Sequence, residues 1–220
     1  IDAAAQSGVQ IVAIDSSVSS RHVSTYIGTN NYAAGWMAAH AILERVSGPL
    51  YVGVVNFDVG TANGQERERG ASDAFAASGR AQITAVVNTL TDAAQAQADT
   101  AALLAAHPDF NVLLALNAPP RVGAARAVEQ LGRSDDVFLV GFDSNVVTVD
   151  GLQDGSVDAL VVQNPFAMGY LGVESAYRLL TGQSAALEDT VDTSTQVVDR
   201  NNLFTLDSQK ALFSFSEYLY

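Results

Sequence analysis

The chain has 220 residues, 48% of them hydrophobic, which is enough to bury a full core in one sizeable domain or two small lobes. Its 24 acidic residues outnumber 11 basic ones, of which Lys210 is the single lysine, for a net charge of -13 and a pI near 4.3. The Lys and Arg clusters that phosphate backbones attract are missing, so nucleic acid is not an expected partner. The absence of cysteine excludes thiol nucleophiles, disulfides and cysteine-type zinc sites.

No apolar run approaches the roughly 20 residues needed to span a bilayer. Ile1-Asp2-Ala3-Ala4-Ala5 lacks the order of a signal peptide and reads like the middle of a helix, so the chain is expected to begin inside a fold. Gly8 closes that helix, and the strand Val9 to Ile14 ends in Asp15. A second strand, His22 to Ile27, leads to Thr29-Asn30-Asn31, whose side chains suit the cap of a helix from Tyr32 to about Val46. Leu50 to Val55 is the next apolar strand and ends at Asn56. A loop from Asp58 to Gly64 opens a helix placed from Gln65 to about Ser78.

The strand Ile83 to Val87 is followed by Thr89, Thr91 and Asp92 and then an Ala-rich helix ending near His107-Pro108. Val112 to Leu116 ends at Asn117, and Pro119-Pro120 suits the first turn of a helix running to about Leu131-Gly132. Val137 to Val140 is an unbroken apolar run that stops at Gly141-Phe142-Asp143, as expected of a parallel strand covered on both faces. A short helix closing at Gly155, a strand Val157 to Val162 ending in Gln163, and a helix from Phe166 to about Leu180 with Gly182 as its stop follow. Val191 to Val198 reads as one late strand, and the tail through Phe204 and Phe213 as irregular.

Strand and helix alternate almost throughout, so the expected class is α/β with parallel sheets. The pattern breaks where His22 to Ile27 follows a strand directly and where the late strand returns, and both breaks read as crossings between two lobes. Residues 32–163 with 191–220 are expected to form one lobe. Residues 1–31 with 164–190 supply only part of the other, whose uncovered strand edges invite self-association.

The residues at the carboxyl ends of the strands, Asp15, Asn56, Thr89 or Thr91, Asn117, Asp143 and Gln163, are all polar. In open α/β sheets ligands collect at that edge, and these side chains can position and discriminate a hydroxyl-rich molecule. Arg67 and Arg69 fall near the start of a helix at the same edge, where the macrodipole disfavours a cation. Arg69 is read as the fork of donors aimed at the ligand, and Arg67 as a solvated neighbour of Glu66 and Glu68. His22, His40 and His107 are scattered without metal-ligand or triad spacing, and no Walker loop or G-x-S-x-G elbow occurs, so neither enzyme activity, a metal nor a cofactor is expected.

Six ordered motifs then resemble one family: Asp15 after its strand, Gly28-Thr29-Asn30-Asn31-Tyr32-Ala33-Ala34-Gly35, Arg67-Glu68-Arg69-Gly70, Ala106-His107-Pro108-Asp109, Val140-Gly141-Phe142-Asp143 and Gln163-Asn164-Pro165-Phe166-Ala167-Met168-Gly169. They resemble the ribose-binding-protein-like sugar-binding proteins of bacterial ABC transporters, over nearly the whole chain to about Asn202. The resemblance implies the type I periplasmic binding protein fold, two Rossmann-like lobes joined by three crossing segments, with the first lobe incomplete in this chain. It further implies a monosaccharide or polyol ligand, a transporter permease as partner, and a periplasmic or extracellular location, free or as a membrane-attached lipoprotein. Carried over by motif, Asp15, Arg69, Asn117, Asp143 and Gln163 fall on sugar-contacting positions. Ser16 stands where well-known members have Arg, Ala118 where they have Asp, and Thr91 where a stacking aromatic is common. The effector domain of a LacI-type regulator and the sensing domain of a membrane receptor share the same core and remain alternatives.

Overall fold

The computed structural model describes residues 1–144 and 146–213. The chain divides into two compact units, one built from Ile1–Asn30 and Asn164–Thr195, the other from Asn31–Gln163 and the residues from Gln196 onward. It therefore passes from one unit to the other three times.

The larger unit holds a six-stranded sheet. Its strands are β3 (Leu50–Asn56), β4 (Ala81–Asn88), β5 (Val112–Ala115), β6 (Phe138–Phe142), β7 (Ala159–Val162) and β9 (Gln196–Asp199), in the order β4-β3-β5-β6-β7-β9. All pairings are parallel except β7 with β9. Every residue of β5 is buried, and its side chains alternate between the two sides. Val112 and Leu114 join a core with α2 (Asn31–Arg45) and α3 (Ala62–Ser78). Leu113 and Ala115 join a second core with α4 (Ala93–Ala106), α5 (Ala118–Gln130), α6 (Val146–Asp154) and α8 (Leu206–Leu212). Two covered faces explain why β5, like β7, is apolar without interruption.

Helices α2 and α3 touch through glycine. A Cβ on Gly35 would overlap the Arg67 carbonyl, and one on Gly70 would overlap the Tyr32 carbonyl, so only glycine permits this approach. The contact fixes the rotation of α3 about its axis. Buried positions Asn63, Arg67, Gly70, Ala71, Ala74 and Phe75 then lie on one face.

The smaller unit holds a parallel three-stranded sheet, β1 (Ile11–Ile14), β2 (Val23–Thr29) and β8 (Thr190–Thr193), in that order. Helix α7 (Pro165–Leu180) packs on β1 and β2, with Gly172 against Ile14, and a short helix α1 (Asp2–Gln6) precedes β1. A 3-10 turn (Ser184–Ala186) leads into β8.

Three expectations are corrected. The stretch Val191 to Val198 is two strands in different sheets, β8 beside β2 and β9 beside β7, because the chain changes unit at Thr195/Gln196. Residues 191–195 accordingly belong with the smaller unit, and Asn31, expected there, with the larger one. The tail is not wholly irregular, since Thr205 caps α8 by accepting from Ser208 N–H, and Leu212 reaches the core. Helix α3 starts at Ala62 under a Thr61 cap, three residues before the expected Gln65, which moves Arg67 out of the first turn.

Candidate functional site

The carboxyl ends of β5, β6 and β7 are tied together by one polar network within the larger unit. Arg67 is 2% exposed and spends its fork on three neutral acceptors. Its Nε donates to Asn31 Oδ1 at 2.8 Å, one Nη to the Leu116 carbonyl at 2.7 Å, and the other to Gln163 Oε1 at 3.0 Å. The guanidinium also lies over the Phe142 ring, 4.5 Å from its centroid. Gln163 continues the network by donating its amide nitrogen to Asp143 Oδ1. The other oxygen of Asp143 accepts from the Ala118 N–H at 3.2 Å, beside Asn117, which caps α5 by accepting from the same N–H at 2.6 Å.

Asp143 follows the last residue of β6 in a left-handed conformation, φ 68°, which costs a non-glycine residue about 1–2 kcal/mol. Arg121, in the first turn of α5, is also 2% exposed, and its stem lies against Gly141, where a Cβ would overlap its Cγ and Cδ. Burial lowers its tendency to hold a proton, and the neighbouring Asp143 charge partly restores it.

The other strand ends have structural work. Asn56 donates to the Gly64 carbonyl at 3.3 Å and to Glu68 Oε2 at 2.8 Å while accepting from Phe57 N–H, so it shapes the entry to α3. The buried Thr89 hydroxyl donates to the Asn56 carbonyl at 3.2 Å.

Among the expected site residues, the larger unit brings Asn117, Asp143 and Gln163 together and leaves two outside. Arg69 is exposed, with its guanidinium 5.1 Å from the Tyr32 ring centroid, on the side of α3 away from the strand ends. The expectation aimed Arg69 at the ligand and left Arg67 in solvent, whereas α3 buries Arg67 and leaves Arg69 exposed. Thr91 is exposed and left-handed, φ 62°, directly after left-handed Leu90. Asp92 then caps α4 by accepting from the N–H groups of Ala94 and Gln95.

In the smaller unit Asp15 directly follows β1, exposed, with φ 66°; its carbonyl accepts from the Tyr26 hydroxyl at 2.8 Å, and Ser16 Oγ donates to its Oδ2 at 3.3 Å.

Arg121, and the buried places of Arg67 and Asn31 in the network, were not anticipated from the sequence. The signal for Arg67 was present, since its phase matches Gly70, Ala71, Ala74 and Phe75 along α3 and that of Arg69 does not. The signal for Arg121 was the one applied to α3, a cation in the first turn of a helix at the ligand edge.

A family model described as a periplasmic binding protein domain matches residues 1–184. The ribose import binding protein RbsB of Escherichia coli (strain K12) is 28% identical over 187 residues, which make up 85% of this chain and 62% of that protein. The chain thus spans less than two thirds of that relative. Among solved structures, an ABC transporter solute binding protein from Agrobacterium vitis with bound D-fucose superposes with a TM-score of 0.90 at 28% identity, covering 96% of this chain and 73% of that one. GanP, a glucose-galactose binding protein from Geobacillus stearothermophilus, gives 0.88 at 29% identity, with 93% and 72% covered. The parallel α/β units, the ordered motifs and these matches together place the sequence: the chain belongs to the periplasmic binding protein domain family, among its ribose-binding-like members.

Proposed function

We propose that the protein captures a neutral, hydroxyl-rich small molecule, a monosaccharide or similar polyol, and delivers it outside the cytoplasm to an ABC transporter permease, without metal and without chemistry. The observation that carries this reading is the Arg67–Gln163–Asp143 network with Asn117 beside it, a set of fixed donors and acceptors at the sheet edge where α/β folds bind ligands. Carboxylate acceptors and guanidinium or amide donors complement hydroxyls, which both give and take hydrogen bonds. Because neighbours already hold these side chains, ligand binding need not immobilise them, and less affinity is lost to ordering. Asp15 with Ser16 is proposed to contribute in the same manner, Arg67 takes the role first given to Arg69, and Thr91 lines the margin. The RbsB relative and the D-fucose-bound neighbour support the same class of ligand.

The test is calorimetric titration with D-ribose, D-fucose, D-glucose, D-galactose and D-arabinose alongside nucleotides and anionic metabolites. Saturable heat with one or more sugars is expected. Heat with nucleotides or anions alone overturns the reading.

A further inference from the structure

Asp143 has two neutral partners, the Ala118 N–H and the Gln163 amide. They fix where its oxygens lie, but they supply no charge. Arg67 reaches this network through Gln163, and bonds also to Asn31 and the Leu116 carbonyl. Arg121 is different: it is 2% exposed, its stem lies against Gly141 two residues before Asp143, and the Asp143 charge favours its protonated form against the effect of burial.

Its location is costly twice over. A cation in the first turn of a helix opposes the macrodipole, and a buried guanidinium gives up its hydration. The fold nevertheless makes room for it, because residue 141 lacks a Cβ where the Arg121 stem passes over β6. The next residue but one along that strand is Asp143. The backbone therefore delivers cation and carboxylate to the same place from two elements, α5 and β6.

We propose that Arg121 is a positioning residue of the site, one that touches no ligand and acts through Asp143. Its charge holds the carboxylate in place and offsets the cost of burying it, so that Asp143 is presented to ligand hydroxyls already aimed. The inference rests on Asp143 being a binding residue, and it adds a residue that neither the strand-end pattern nor the motif resemblance marked.

A double-mutant cycle tests it. Arg121→Met removes the charge and keeps most of the stem, and Asp143→Asn removes the carboxylate; affinity for D-ribose and D-fucose is measured by calorimetry for both, for the pair, and for Arg121→Lys. Arg121→Met is expected to weaken binding about tenfold and Asp143→Asn about thirtyfold or more, with the double variant within about threefold of Asp143→Asn alone. Arg121→Lys is expected to recover most of the loss. Losses that multiply, or Lys no better than Met, overturn the proposal. If Arg121→Met does not fold, Arg121→Gln, which also removes the charge, takes its place in the cycle and is judged by the same non-additivity. Should the wild-type protein bind none of these sugars, the proposed function fails separately, and the cycle is read from urea midpoints of the ligand-free proteins. Coupled midpoints there support the pairing, and additive ones overturn it.

Discussion

Asp15 and Asp143 share one local geometry. Each directly follows the last residue of a parallel strand, each is left-handed, with φ of 66° and 68°, and each donates its N–H at 2.9 Å to a carbonyl of the next strand, that of Ile27 or Val161. The backbone bond ends the ladder and the positive φ turns the carboxylate out of the pleat. The same device thus stands at one strand end in each unit, where a carboxylate at the ligand edge is most useful.

The two arginines of Arg67-Glu68-Arg69 should separate cleanly. Arg67→Ala leaves the Leu116 carbonyl, Asn31 and Gln163 without their buried donor, and is expected to destabilise the protein by about 2–4 kcal/mol and to weaken sugar binding at least tenfold. Arg69→Ala removes an exposed side chain over Tyr32 and should change either quantity by less than about 1 kcal/mol. Urea unfolding and calorimetry read both, and an Arg69 effect larger than that of Arg67 would contradict the helix phase described above.

Glycine at position 70 is required by the carbonyl of Tyr32. Gly70→Ala must push α2 away from α3, at an expected cost of about 3 kcal/mol, whereas Gly79→Ala meets nothing within 4 Å and costs only its left-handed φ of 64°, about 1 kcal/mol. Comparing the two urea midpoints separates close packing from backbone strain.

Acid stability carries the signature of Asp199, which ends β9. Burial pushes its carboxyl upward, but hydrogen bonds from Arg45 and the N–H groups of Asn201 and Asn202, with the Arg45 charge, outweigh burial and hold it below its ordinary value of 3.8. A folded value lowered in this way contributes stability that is present above 3.8 and is lost as pH falls from there through the folded value. Arg45→Met should cost about 2 kcal/mol at neutral pH and flatten the stability curve below pH 4, because the contribution is already gone. Urea midpoints from pH 7 to pH 3 measure it; parallel curves for the two proteins would refute the assignment.

Leu90 and Thr91 form a left-handed pair just before the cap of α4, and a β-branched residue tolerates that conformation poorly. Thr91→Gly should raise stability by about 0.5–1 kcal/mol, the relief of strain exceeding the added freedom of the unfolded chain. A thermal melt showing a lower midpoint would mean that the Thr91 side chain has packing of its own.

Most of the architecture was legible because its cause is local. Strands such as β5 and β7, buried on both faces, must be apolar throughout, and caps such as Asp92, Asn117 and Asn164 announce helices by their own hydrogen bonds. What stayed hidden depends on distant chain. Nothing in Thr190 to Asp199 is glycine or proline, so no punctuation marks the place where two β-prone runs part into different sheets. Arg121 was passed over because the space for its buried stem is made by Gly141, twenty residues further on.

The strand order β4-β3-β5-β6-β7-β9 also sets a gradient of amide exchange. β5 and β6 are flanked on both sides, so their N–H groups should exchange only when the larger unit unfolds as a whole, while β4 and β9 at the edges can open locally. Asn117 lies just beyond β5, and Asp143 just beyond β6. The side chains that would meet the ligand therefore stand at the ends of the strands whose amides should be last to take up deuterium, which makes those strands a built-in reference: any change in exchange confined to Asn117, Ala118 or Asp143 when sugar is added reports on the site, uncontaminated by breathing of the frame beneath it.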